Sequence, residues 1–182
     1  MDEIVEAALR KWPDVPHCYG WLALDARGDW YLRDAQVQSA GAFPQLKGSR
    51  IRHDKLLGFI QRNYAVDERG CWYFQNGPQR VYVELEAAPW VWRLHALPGL
   101  GMQVQSHTGQ AAQARSAWLD EQGRLFLHTD LGFGLVHSLD MEAASQAVDD
   151  GRWTPQELPF ARMPERFGYC LRPQPPRAVG AT

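Results

Sequence analysis

The sequence has little of what usually announces a chemistry. Its three cysteines, Cys18, Cys71 and Cys170, are far apart and form no C-x-x-C pair. That excludes a disulfide framework and a zinc ribbon, and it favours a reduced, cytoplasmic setting. No apolar run approaches the length of a bilayer span, and the opening "MDEIVEAALRKWPD" lacks the basic start and apolar stretch of a signal peptide. Basic residues are scattered and the net charge is −2, so no electrostatic footprint for nucleic acid is present. The expectation is a cytoplasmic protein that has neither nucleic acid nor membrane as its partner.

Catalytic and metal-binding signatures are equally scarce. The histidines, His17, His53, His95, His107, His128 and His137, include no H-x-H or H-x-x-x-H pair. A loose trio of His128, Asp130 and His137 on one predicted hairpin is the nearest approach to a metal site, and satisfied or solvent-facing side chains explain it better. There is no G-x-S-x-G elbow, and "GCW" around Cys71 matches no cysteine-hydrolase pattern, so Cys71 reads as a small buried apolar residue. Neither "GLG" nor "GFG" is followed by G-K-[ST], so neither is a phosphate cradle. No metal and no cofactor are expected.

What is present is an ordinary globular composition, 182 residues with 45% apolar and 22% charged. A chain of this size buries roughly 70% of its unfolded surface without needing a staple. Eight tryptophans stand out. Tryptophan stabilises cores and is also enriched at binding surfaces, so its abundance leaves both uses open.

One phrase recurs. "LDARGDWYL" at 24–32, "VDERGCWYF" at 66–74 and "LDEQGRLFL" at 119–127 all read apolar, Asp, two variable residues, Gly, one variable residue, then an apolar or aromatic run. Asp can hydrogen-bond backbone amides two residues on, and Gly supplies the left-handed conformation that closes a short bulged hairpin. Each copy is a predicted hairpin tip. From Asp25 to Asp67 is 42 residues and from Asp67 to Asp120 is 53, a spacing that suits a duplicated unit with insertions rather than a solenoid.

Around the tips, strands are predicted at 19–24 and 29–33. An amphipathic helix is predicted in "RHDKLLGFIQRNY", with Asp54 as N-cap and Leu56, Leu57, Phe59, Ile60 and Tyr64 on one face. "GPQRVYVELEAAPWVWRLHAL" alternates in the strand period, with a turn at Gly77 and Pro78 and a break at Pro89. An opening helix stops at Pro13, and a later one, capped by Ser138 or Asp140, ends at Gly151. The fold class is α+β, repeated antiparallel β-hairpin units with a few short amphipathic helices. Composition divides the chain into a first unit at 1–97 with two tips, a second at 98–172 with the third tip and a helix, packed as one body, and an extended proline-rich tail at 173–182.

The matched positions Gly28, Trp30 and Tyr31, then Gly70, Trp72 and Tyr73, then Val83, Glu84, Ala88, Pro89 and Trp90 resemble an uncharacterised bacterial family known as a domain of unknown function. The likeness covers about half the chain, with "ELEAAPW" where that family favours an acidic pair before Ala-Pro. It implies repeated structural motifs and a role in signal transduction.

The aromatic runs are the functional lead. Adjacent strand residues face opposite ways, so one of Trp72 and Tyr73 leaves the core, while Trp90 and Trp92 share a face. If such faces stay open, Trp30, Trp72, Tyr73, Trp90 and Trp92 form a ligand-binding surface, with Arg80 or Arg93 to hold a carboxylate or phosphate. If two sheets meet face to face, the same residues are core. The first hypothesis is a non-enzymatic module binding a protein or small ligand, regulatory in use. The alternative is an enzyme whose acid and base, drawn from Asp130, His128, His137, Glu84 and Glu86, meet only in the fold. Self-association is left open.

Overall fold

The computed structural model describes residues 1–97 and 101–176. Two mixed sheets carry the architecture. The first contains β1 (Cys18–Leu24), β2 (Trp30–Leu32), β3 (Ser49–Arg50), β4 (Tyr64–Val66), β5 (Trp72–Asn76) and β6 (Gln79–Leu85), in the spatial order β3-β2-β1-β6-β5-β4. The second contains β7 (Trp90–Leu97), β8 (Gly101–Ser106), β9 (Ala111–Ala112), β10 (Ala114–Leu119), β11 (Leu125–Thr129) and β12 (Phe133–Val136), in the order β9-β8-β7-β12-β11-β10, and a short β13 (Gln156–Glu157) extends it beyond β10. In each sheet two antiparallel three-stranded meanders meet along one parallel contact, β1 with β6 and β7 with β12. One topology is thus used twice. The hairpins of the α+β expectation are present, and the parallel centres are an addition: side-chain alternation reports which face is buried, not which way the neighbour runs.

The three tips have the expected construction. At Asp25, Asp67 and Asp120 the carboxylate Oδ1 accepts the N–H groups two and four residues on, at 2.8 to 3.0 Å. The glycine three residues on donates back to the Asp carbonyl, with φ of 82° at Gly28, 75° at Gly70 and 73° at Gly123. A fourth tip was hidden by its chemistry. In "SHTGQ" the Ser106 hydroxyl accepts from Gln110 N, and Gly109 at φ 87° donates to the Ser106 carbonyl. Two of the tips are topological equivalents, Asp67 between β4 and β5 and Asp120 between β10 and β11, so the 53-residue spacing is the repeat and the 42-residue one lies within the first sheet.

Five α-helices accompany the sheets among the described residues: α1 (Glu3–Lys11), α2 (Ala35–Ala40), α3 (Asp54–Arg62), α4 (Met141–Asp149) and α5 (Met163–Phe167). His53, not Asp54, caps α3, its Nδ1 accepting from Leu56 N at 3.3 Å. Asp54 is instead in the first turn, where a carboxylate suits the positive end of the helix dipole. Tyr64 leaves the helix and begins β4. Before α4 comes a 3₁₀ turn at Ser138–Asp140, and the Asp140 side chain makes no cap hydrogen bond; its carboxylate takes Arg93 Nε at 2.6 Å and Leu94 N at 3.1 Å.

The chain passes between sheets at residues 86–89. Residues 98–100, where composition marks a boundary, lie outside the described residues, and the strands flanking them, β7 and β8, pair in one sheet. Leu22, Leu24, Trp30, Val83 and Leu85 of the first sheet share a core with Phe126, Phe133 and Leu135 of the second and with Met163 and Tyr169 from the C-terminal segment. On the other face of the second sheet, Trp92, Val104 and Leu127 pack beneath Ala144 of α4. Of the proline-rich tail, 177–182 lie outside the described residues.

Candidate functional site

Four of the sequence-selected residues meet in one aromatic cluster, and it is closed. Trp72 lies edge-on to Trp90 with ring centres 5.2 Å apart, and Trp90 stacks on Trp92 at 5.8 Å. Tyr64 links the set, 5.2 Å from Trp30, 4.7 Å from Trp72 and 5.7 Å from Trp90. Trp30, Trp90 and Trp92 are buried and Trp72 half-buried, which takes these rings out of any open binding face. Burying such surface is worth more than displaying it, at about 25 cal/mol per Å².

His107, from the fourth tip, completes the cluster. Its ring centre is 5.7 Å from both Trp30 and Trp90 and 6.1 Å from Tyr64. Nδ1 accepts from Val91 N at 3.3 Å, so the proton of the neutral ring sits on Nε2. Nε2 and the nearby Trp30 Nε1 are buried with no hydrogen-bond acceptor among the described residues. Burial holds the His107 pKa down at about 3. Nothing in its sequence spacing marked this histidine, since its neighbours come from strands in both sheets.

Tyr73 and Arg80 go to the opposite face of the first sheet. Arg80 lies over the Tyr73 ring at 4.5 Å, and Tyr73 meets Tyr82, which stacks on Tyr19 at 4.6 Å. Here the second oxygen of Asp67 accepts from Tyr82 OH at 2.9 Å and from Arg69. The equivalent oxygen of Asp25 is held by Lys47 at 2.9 Å and Tyr31, and that of Asp120 by Arg124 at 2.6 Å. Burial pushes the Asp25 and Asp67 carboxyls up, but these donors outweigh it and keep both below the usual carboxylate range. In the "WYF" run Trp72 therefore faces the tryptophan cluster and Tyr73 the opposite face of the sheet.

The acid and base candidates of the alternative reading are dispersed. Glu84 pairs with buried Arg33 at 2.9 Å and Glu86 with Lys47 at 2.9 Å. His128 lies against Phe167, His137 Nδ1 accepts from Leu139 N, and Asp130 accepts from Gln113 N. Arg93 is engaged by Asp140. No group of three or more His, Cys, Asp or Glu side chains converges on a metal-sized space among the described residues.

An open concavity lies elsewhere, where α3 crosses the inner face of the first sheet. A cavity of about 280 Å³ is lined by Leu22, Ile60, Phe74 and Val81, with Asn76 and Gln79 at its β5–β6 turn end. Its rim is apolar and exposed: Trp21 is 45% exposed, Leu32 48% and Leu56 37%. Gln79 Nε2 donates to the Pro16 carbonyl at 2.9 Å. The helical period puts Leu56 on the apolar face of α3 with Ile60, and both line the cavity, Leu56 at its exposed mouth.

A family model described as "Protein of unknown function (DUF2946)" matches residues 1–174. The chain belongs to this family. Its matched span takes in both sheets, all four tips and the groove. No curated protein matches the chain. Two solved structures are similar to it: a DUF1285 family protein from Shewanella baltica OS155, at 14% identity, covering 69% of this chain and 91% of that one with a TM-score of 0.46; and a DUF1285 family protein from Silicibacter pomeroyi DSS-3, at 13% identity, covering 80% and 84% with a TM-score of 0.49. No helix among the described residues is long and apolar enough to cross a membrane.

Proposed function

We propose that this protein is a non-enzymatic binding module and that its ligand is a small, uncharged, largely apolar molecule seated in the groove beside α3. The observation that carries this reading is an apolar concavity left open at its rim while the larger aromatic surfaces are closed. Apolar walls with a few placed polar groups are the usual make-up of a small-molecule pocket. At about 280 Å³ the space suits a compact molecule rather than a helix or strand of a partner. Among the described residues no Asp, Glu, Lys, Arg or His lines it, so a charged guest would be desolvated without a counter-ion. Asn76 and Gln79 would meet one hydrogen-bonding end. Regulation is the use that the resemblance of the two G-x-W-Y tips implies for such a module, and ligand capture is the step it requires.

The neutral fluorophore N-phenyl-1-naphthylamine is a suitable probe. It should bind the native protein saturably at one site, quench or receive energy from Trp21, and lose its site in a Leu32→Arg, Leu56→Glu double variant. Both substituted positions are exposed, so circular dichroism and Tm should be unchanged. Absent binding, or binding indifferent to these changes, rejects the reading.

A further inference from the structure

We propose that Cys71 and Cys170 form a dithiol that exchanges with low-molecular-weight disulfides, closing an intramolecular disulfide that fastens the C-terminal segment to the second hairpin tip. Cys71 directly follows the tip and is buried, while Cys170 is half-exposed. The Cys170 N–H donates to the Gly70 carbonyl at 3.1 Å, and its thiol donates to the Arg69 carbonyl at 3.6 Å. Cys170 packs against the small buried cluster of Cys71, Tyr73 and Tyr82.

This contact is imposed by backbone, not by a chance of rotamers. Gly70 stands at φ 75°, and a Cβ there would run into the Gly168 carbonyl, so residues 168–170 lie directly on the tip. On either side the segment is pinned by Tyr169 OH donating to the Ala87 carbonyl at 3.0 Å and Leu85 N donating to the Leu171 carbonyl at 2.9 Å. A disulfide needs its two Cα atoms within about 7 Å, and the bond from Cys170 N–H to the carbonyl of Gly70 sets the Cys170 backbone against the residue that precedes Cys71.

The exchange balances with oxidised glutathione as the oxidant. The more accessible Cys170 thiolate attacks one glutathione sulfur, forming a mixed disulfide and expelling one glutathione thiolate. Cys71 then gives up its proton and attacks the Cys170 sulfur, expelling the second glutathione, so two protein thiols are oxidised and one glutathione disulfide is reduced. Burial, then contact with Cys170, pushes the Cys71 thiol up to about 12, which makes it the slow, resolving partner. The site lies on the tyrosine-rich face, away from the groove residues, and does not depend on the ligand reading.

The test incubates the full-length protein with oxidised glutathione at mildly alkaline pH and follows intact mass, non-reducing peptide mapping and Tm. The expected result is the loss of two hydrogen masses, a linked pair of peptides containing Cys71 and Cys170, and a Tm that rises and returns on reduction. In Cys71→Ser the reaction should halt with one glutathione on Cys170 and no rise in Tm. Stable glutathionylation of Cys170 in the unsubstituted protein, a link through Cys18, or no reaction would each overturn the proposal.

Discussion

At His107 the ring is a neutral acceptor for Val91 N, held among Trp30, Tyr64 and Trp90. Its pKa of about 3 in the fold lies below the ordinary value of 6.5. Above the ordinary value both folded and unfolded chains carry the ring neutral, and its contribution is complete. As pH falls from about 6.5 towards about 3, the unfolded chain takes up the proton and the folded one does not, so stability falls by about 1.4 kcal/mol per pH unit from this group. In His107→Asn an amide oxygen can still accept from Val91 N, but no proton-binding site remains. That variant should be less stable at pH 7, through lost aromatic packing, and should show a shallower decline between pH 6.5 and 5 in urea titrations. Parallel declines in the two proteins would mean that the ring is not excluded from protonation. The sequence showed the residue but not its surroundings, because Trp30 and Trp90 are brought to it by strands of different sheets.

Among the elements, the hairpin tip allows a comparison within one molecule. Gly28, Gly70 and Gly123 hold the same left-handed conformation, yet they face different neighbours. A Cβ at Gly123 would meet nothing within 4 Å, whereas one at Gly28 would come 2.8 Å from the His107 Cβ and one at Gly70 would meet backbone of the C-terminal segment. Gly123→Ala should therefore cost about 1 kcal/mol, the conformational penalty alone. Gly28→Ala and Gly70→Ala should cost more than about 2 kcal/mol, because the obstructing atoms belong to a Cβ and a main chain that cannot rotate away. Chemical denaturation of the three variants checks the ranking, and equal losses would contradict it. The Asp-x-x-Gly signature was fully legible, since the turn is made by residues within it. What each tip touches was not, nor was the Ser106 tip, where a hydroxyl does the work of a carboxylate.

For the whole molecule, Leu22, Leu24, Val83 and Leu85 of the first sheet share one core with Phe126, Phe133 and Leu135 of the second, and Trp72 and Tyr64 link that core to the cluster beneath α4. The two sheets should accordingly unfold as one cooperative unit, with tryptophan fluorescence and far-ultraviolet circular dichroism giving superimposable transitions. Trp72→Ala should lower stability by about 3 kcal/mol, the range for deleting a large aromatic, and leave the transitions superimposable, because the shared core still joins the sheets. Separated curves in that variant would mean that the shared core alone does not couple them.

By itself the sequence determined the local devices: the Asp-Gly tips, the amphipathic period of α3, the alternation in 79–97 and the α+β class. Each rests on interactions spanning a few residues, so local order carries them. Only the tertiary structure decided that the tryptophans pack on one another, that the central strands run parallel, that Arg80 and Tyr73 part company with the tryptophans, and that the C-terminal segment lies on the second tip. The physical reason is the same in every case. A strand's pattern says that a face must be covered, and what covers it depends on chain that is up to about a hundred residues away.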